Sequence, residues 1–493
     1  MKPELPGFYY DEEKNRYFPI KGPIPGAKSS SSSRTKRKPE PKPEQETNYQ
    51  KRTKLKALKL VYSRELNGNV IPVNKKMSSF KDEIQKTQAS YPVVWRYGST
   101  EDIGDTALKQ FQVDVQTSVG LTRKNILVAG SAGGCLSILR VSKDRQVYDG
   151  VIECDPVSVL PRKENDTEER EAPEYIWKPA QPCLVALSTI SSIELIGRSD
   201  ACENSHPVNR ALITTLGSTG RGSIFILNVA EEVNILTTRS LQGNVSSECT
   251  IWTADCNISG SHAAIGTDLG AALVDLETGK GSYFLRSKSD VFALQFHQSG
   301  NIVHCGLRNG AIVSADLRER PGRPFPRLTR HQIRYQSSSK TGQTTTNKQW
   351  FELQGNINPS HVIYMPSSLT CLKTLKTSDQ YLMASSMDGT IKLYDQRMVK
   401  RGVGVQTYEG HVNSHTRIEF GIDPSEQFLL SGGDDCYTRI WSIKSGQLMS
   451  ENKFSNSVPS VVCWSTDERQ RDRKDSIGHG AWLGSREAIF NLL

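Results

Sequence analysis

Residues 381–397 read YLMASSMDGTIKLYDQR, and residues 428–442 read FLLSGGDDCYTRIWS. Laid over one another, Asp388 falls on Asp435 and Tyr394 on Trp441, both 47 positions apart. The register recurs upstream. GTDLGAALVD sets Asp268 seven residues before Asp275, LRNGAIVSAD sets Asn309 seven before Asp316, and Asp388 precedes Asp395 by the same seven. One structural unit is therefore used repeatedly, at a period of 40–47 residues, with a turn Asp six before an aromatic in its last copies.

A unit of that length, made of short apolar strands separated by Gly, Ser, Asn and Asp, predicts an all-β chain folded as a seven-bladed WD-repeat β-propeller. Seven units can be counted: 125–141, 211–229, Cys249–Leu276, Asp290–Arg318, 368–397, 415–445 and 458–491. The sequence stops just after IFNLL, a candidate third strand, so the outer strand of the last blade has to come from elsewhere. The expected donor is QFQVDVQT (110–117), where Phe111, Val113 and Val115 alternate; stapling the first strand into the last blade removes an exposed sheet edge. The fourth-to-fifth step is longer because residues 319–366 intervene, a basic and polar insert read as a loop on one face. Loops of that kind carry specificity.

Ahead of the propeller (91–493) the chain changes character. Residues 1–20 form an aromatic motif, in which GFYYDEEKNRYF suits a small hairpin turning at DEEKN; its aromatics pack on the propeller or capture a partner. Residues 21–53 combine Pro, Ser, Lys and Glu with almost no apolar side chains, the composition of a disordered basic linker. Residues 54–90 read as a short helical segment: Leu55, Leu58, Val61 and Tyr62 are at helical spacing, and FKDEIQKTQ (80–88) suits a second helix.

The chain has 493 residues and a net charge of +9, but 15 Lys/Arg against 7 Asp/Glu within residues 1–60 account for +8 of it. The body is thus not a polycation built to coat nucleic acid. Lys36-Arg37-Lys38 followed by Lys51-Arg52 and Lys54 resembles a bipartite import signal, which predicts a nuclear protein with a cytoplasmic share. No apolar run reaches the 18 residues of a membrane span, and the N-terminus lacks the apolar run of a secretory signal. Ten scattered cysteines include no CxxC pair, so reduced buried thiols are expected rather than zinc or disulfides. No HExxH, GxxxxGK[ST] or Rossmann glycine motif in context is present, and no cofactor or metal is expected.

Two sets of residues stand out. In the sixth unit, Asp435, His411, Ser431 and Trp441 have the types for a buried chain running from carboxylate to imidazole to hydroxyl to indole N–H. It is read as structural glue that fixes the blade's register, not as a hydrolytic triad. The fifth unit keeps Asp388 but has Ala384 and Tyr394 in place of Ser431 and Trp441, so its network is weaker. The second set is Tyr394-Asp395-Gln396-Arg397, whose Asp-x-Arg pattern is repeated one unit earlier in Ala315-Asp316-Leu317-Arg318. Each arginine follows a third strand and is expected on a flat face of the ring. Two free guanidinium groups in register suit an acidic or carbonyl-rich protein surface; the alternative is that each arginine pairs with a nearby aspartate.

Paired boxes of this kind on neighbouring blades resemble those of the WD-repeat substrate receptors of the cullin-4 RING ubiquitin ligase. Glu4-Leu5-Pro6-Gly7-Phe8-Tyr9-Tyr10-Asp11, Arg16-Tyr17-Phe18, YEGHVN (408–413) and DDCYTRIWS (434–442) are similar to segments of a member of that family. The resemblance implies a non-catalytic receptor that docks on the ligase's adaptor, the large damaged-DNA-binding protein subunit, and through it on cullin-4, presenting an unknown protein substrate. It implies docking through Arg397, Arg318, Asp395, Asp316 and Tyr394. The chain departs from the pattern at Ala315 and Tyr394, where the family prefers Trp or another aromatic. A helix before the propeller often inserts into the adaptor in this family; Leu55–Leu66 is the candidate here, the alternative being a helix lying on its own propeller. A rival reading from another class is a ligase-independent scaffold in nuclear RNA or chromatin assemblies, using the basic arm and the insert.

Overall fold

The computed structural model describes strand residues 8–11 and 16–19 near the N-terminus and, from residue 58 onward, most of the chain; the longer segments outside the description are 161–173, 198–209, 230–238, 241–248, 319–328, 339–343 and 466–479. The chain divides into two units, Met1–Lys51 and Arg52–Leu493. In the first, Phe8–Asp11 pairs antiparallel with Arg16–Pro19, so the aromatic motif does form a hairpin. The DEEKN turn (all but its first residue), the linker 21–53 and the basic import-like clusters lie outside the described residues.

The second unit is a ring of seven antiparallel sheets; the first three strands of each blade follow one another in sequence, while the last blade is completed by strands from earlier in the chain. Blade 6 shows why. Phe428–Gly432 and Thr438–Ser442 are buried along their whole length, because the two middle strands of a blade are covered on both faces by the neighbouring blades. The apolar core accordingly falls into seven clusters, one at each interface between blades. Leu372, Leu382 and Ala384 of blade 5 meet Ala293 and Ile312 of blade 4, for example, while Met383 and Leu393 from the opposite face of blade 5 meet Phe420, Leu429 and Trp441 of blade 6. The alternation seen in the sequence is the alternation between two interfaces. The turn between second and third strands needs a left-handed residue, supplied by Gly389 (φ 84°) after Asp388 and by Cys436 (φ 63°) after Asp435.

Closure uses a different strand from the one expected. Val94–Tyr97 pairs with Ile489–Leu492, in the register Leu492↔Val94 and Ile489↔Tyr97, and supplies the fourth strand of blade 7. Ala107–Thr117, which contains the anticipated donor 110–117, is instead the inner strand of blade 1, hydrogen-bonded along its length to Gly120–Gly130. Only two residues separate those strands, and a local hairpin forms before any pairing across the ring. Gln110 still touches blade 7, accepting the Trp482 indole N–H at 3.0 Å. The closing strand is anchored on both faces. Val93 and Leu493 exchange backbone bonds of 2.9 and 3.0 Å, and Tyr97, fully buried, donates its hydroxyl to the Glu174 carbonyl at 2.7 Å.

The insert differs from expectation too. Thr329–Ser338 and Thr344–Gly355 are not a loop but a long hairpin that continues the sheet of blade 3, joined to Gly281–Ser287 through Leu285↔Gly355, Arg286↔Gln354 and Ser287↔Leu353. The overlooked strand formers are Ile333, Tyr335, the threonines 344–346, Trp350 and Phe351. The chain then returns to give blade 4 its outer strand, Ile363–Tyr364. Residues 58–65 are helical, followed by the hairpin Val70–Val73/Lys76–Ser79. The helix Phe80–Ser90, expected over 80–88, packs on the outer strand of blade 6, Leu448–Asn452.

Tyr97→Ala removes a buried aromatic and its hydrogen bond from the seam of the ring. Chemical denaturation should show a loss of about 3–5 kcal/mol, whereas Leu58→Ala, on an exposed helix, should leave the midpoint within about 0.5 kcal/mol of the parent.

Candidate protein-docking site

The two Asp-x-Arg boxes occupy equivalent positions. Asp316 ends the third strand of blade 4 opposite Ile302, and Asp395 ends that of blade 5 opposite Tyr381, each facing the first residue of its second strand. Blades 4 and 5 are neighbours in the ring, so both boxes leave the same face. Contrary to the expectation of two free guanidinium groups, each is paired with its own aspartate. Arg397 Nε lies 3.0 Å from Asp395 Oδ1 and Nη2 2.7 Å from Oδ2, while the Arg397 backbone N–H donates to Oδ1 at 2.9 Å. Arg318 repeats the pattern on Asp316, with Nε at 3.0 Å, Nη2 at 2.5 Å and its backbone N–H at 3.0 Å. The spacing is the cause. An aspartate that caps the backbone N–H two residues on forms an Asx-turn, and this turn swings the side chain of that same residue over the carboxylate.

The result is a preset fork rather than a loose charge. Both arginine side chains remain 66% exposed. Their hydrogen bonds hold the partner carboxylates below the usual range, Asp316 at about 2 and Asp395 in the same direction, so both boxes are fully ionised at neutral pH. Among the described residues Nη1 of Arg397 makes no further bond. Met398, Val403 and Val405, which follow Arg397 in sequence, are exposed. Tyr394 takes no part. It is buried in the interface between blades 4 and 5 with Leu382 and Met365, and its hydroxyl pKa is pushed up by burial. Ala315, equally buried, is its counterpart. The aromatic of the box is thus a packing residue, and its replacement by Ala315 changes the core rather than the docking surface.

A second exposed feature was legible as helical spacing. On the helix 58–65, Leu58 and Tyr62 are 65% exposed and Val61 44%. These positions lie on one face, so this helix does not lay its apolar stripe on the propeller. Arg64 stacks over Phe80 at 4.8 Å and links the helix to Phe80–Ser90 on blade 6, next to the blade that carries Arg397.

The predicted polar chain in blade 6 is rearranged. His411 and Ser431 do meet, with Oγ 3.3 Å from Nε2. Nε2 also lies 2.9 Å from the Gly432 carbonyl of its own blade and Nδ1 3.3 Å from that of Gly389 in the turn of blade 5; the neutral ring has one N–H and donates to one of the two. Asp435 does not reach it. Arg439, almost fully buried, takes both oxygens of Asp435 and pairs with Glu451 at 2.6 Å. A buried guanidinium requires anionic partners, and it outcompetes a neutral imidazole. The Trp441 indole N–H goes to the Glu409 carbonyl at 2.8 Å. Asp388 in blade 5 accepts from Ser386 Oγ at 2.5 Å and from Thr390 N at 3.1 Å, holding its turn. With His411 held between carbonyls and Asp435 engaged elsewhere, no triad geometry exists here. Among the described residues no group of His, Cys, Asp and Glu is placed to hold a metal.

Sequence reasoning missed Arg417. From blade 6 its Nη1 donates across the central channel to the carbonyls of Ser191 in blade 2 (3.2 Å) and Trp252 in blade 3 (2.6 Å), and Nη2 pairs with Glu419. The channel is therefore crossed by a side chain. No repeat pattern marks this position, because the contact is made between distant blades.

The fold is that of a WD-repeat β-propeller, and its two Asp–Arg boxes are exposed at equivalent positions on neighbouring blades. Residues 346–468 match the family model described as the DDB1- and CUL4-associated factor 4 beta-propeller domain. The chain is 25% identical over 460 residues to DDB1- and CUL4-associated factor 4 of Bos taurus and 24% identical over 464 residues to that of Homo sapiens, in each case covering 91% of this chain and 78% of the relative. An uncharacterized WD repeat-containing protein of Caenorhabditis elegans is 25% identical over 221 residues, 43% of this chain and 34% of the relative. The chain thus resembles DDB1- and CUL4-associated factor 4 along nearly its whole length.

Burial lowers the pKa of His411 and takes that of His304 in blade 4 to about 3. A histidine held neutral in the fold binds its proton only on unfolding, so each one removes stability as pH falls below the unfolded value near 6.5. Stability measured between pH 6.5 and 4.5 should decline by up to about 1.4 kcal/mol per pH unit for each such group. His304→Gln should flatten that slope, and an unchanged slope would contradict the assignment.

Proposed function

We propose that this chain is a non-catalytic substrate receptor of a cullin-4 RING ubiquitin ligase. It docks on the ligase's adaptor, the large damaged-DNA-binding protein subunit, and presents a protein target for ubiquitination. The observation that carries this reading is the pair of Asp–Arg forks at matching positions on adjacent blades. Two rigid, ionised forks are suited to a surface offering carbonyls and carboxylates. Because each guanidinium is already ordered by its own aspartate, binding loses little side-chain entropy. The exposed stripe Leu58–Val61–Tyr62 adds an amphipathic helix able to enter a groove on the same partner. The names of the relatives, which associate them with DDB1 and CUL4, support the same partner. In this reading the propeller performs no chemistry and acts in the nucleus with the ligase.

Replacing both arginines, as Arg318→Ala with Arg397→Ala, removes two exposed side chains and leaves the seven interfaces intact. The folded double variant should lose at least tenfold in affinity for the purified adaptor by biolayer interferometry, with an unchanged melting temperature. Adaptor binding that persists at parent strength would refute the docking role of the boxes.

A further inference from the structure

Blade 3 breaks a rule that the other six obey. Among the described residues their terminal strands are Pro156–Leu160, Val151–Cys154, Arg239–Ser240, Ile363–Tyr364, Gln406–Tyr408 and Leu448–Asn452, none longer than five residues. Short terminal strands are one of the ways in which sheet proteins prevent edge-to-edge pairing. Blade 3 ends instead in Thr329–Ser338, ten residues long, which among the described residues pairs only on its inner side, with Thr344–Gly355. Among the described residues its outer row of N–H and C=O groups has no strand beside it. The sequence TRHQIRYQSS has neither the proline nor the register break that would close such an edge.

Charge decides what fits there. The segment 319–355 holds seven Lys/Arg against Glu319 and Glu352, and the edge strand itself carries Arg330 and Arg334 with no acidic residue. A second copy of this strand brings like charges face to face, which opposes self-pairing. An extended acidic segment gains both the backbone ladder and opposite charges at alternate positions. We propose that Thr329–Ser338 is a β-addition site that captures an extended, acidic segment of a partner protein. The site is on blade 3 and makes no use of Arg318 or Arg397, so it stands or falls separately from adaptor docking.

The test uses the full chain and a synthetic ten-residue peptide of alternating Glu and Val, read by fluorescence anisotropy and by hydrogen–deuterium exchange. With saturating peptide, exchange within 329–338 should slow at least tenfold at alternate amides, those directed away from strand 344–355, with no comparable change in the other blades. Arg330→Glu with Arg334→Glu should weaken the peptide at least tenfold. Of the neighbouring variants Ile333→Pro and Arg334→Pro, one removes an outward N–H and the other an inward one. The outward one should abolish binding while strand 344–355 keeps its protection. If both prolines unfold the hairpin, the charge variant and the exchange pattern still decide. Exchange in 329–338 that the peptide leaves unchanged overturns the proposal. So does equal affinity for a peptide of alternating Lys and Val, or protection of this segment by a single-stranded oligonucleotide in preference to the acidic peptide, which would assign the hairpin to nucleic acid instead.

Discussion

The structure of the ring depends on the packing of one blade's face against the next. A single blade has two apolar faces and cannot bury either alone, so the fold exists only as a closed set of neighbours. The middle strands of blade 6 are buried on both sides for that reason, and the seven apolar clusters lie between blades rather than within them. Closure by Val94–Tyr97 on Ile489–Leu492 converts a row of interfaces into a cycle. Gln298 of blade 4 bonded to the carbonyls of Leu375 and Lys376, and Arg417 bonded to the carbonyls of two opposite blades, then fix the relative tilt of the sheets with polar contacts.

That frame gives the face carrying Arg318 and Arg397 its geometry. Because each third strand ends at the same height, a three-residue pattern written twice in the sequence becomes two forks at fixed separation on one surface. The local chemistry sharpens the display. Asp395 and Asp316 cap the backbone two residues on and hold the guanidinium in the same stroke, so orientation is set by two covalently close groups and is insensitive to the rest of the blade. An exposed ion pair of this kind contributes little to stability.

The sequence made the blades legible and left the joints obscure. Repeat spacing located all seven units, because the second and third strands with their Asp turn are the most regular part of each, as at Asp388 and Asp435. It misplaced the closing strand. Val94-Trp95-Arg96-Tyr97 is four residues long and shows no clean alternation, while 110–117 alternates well but is claimed by its immediate neighbour. The insert was misread because its threonines and aromatics are diluted by charge. At the boxes, residue types marked two equivalent strand ends, yet the pairing of each arginine with its own aspartate is a matter of backbone geometry, and the residue pattern could only offer it as an alternative. In blade 6 the types suggested a relay through His411, but Arg439, which no repeat pattern singles out, redirects Asp435. Arg417 shows the same limit from further away.

The central claim is that the face carrying Arg318 and Arg397 is where a second protein grips the ring. An electron cryo-microscopy map of the chain bound to the ligase adaptor tests it most directly. The account predicts adaptor density against the ends of the third strands of blades 4 and 5, with Asp316–Arg318 and Asp395–Arg397 inside the contact and the helix 58–65 engaged. Adaptor density on the opposite face, with both forks left in solvent, would contradict it.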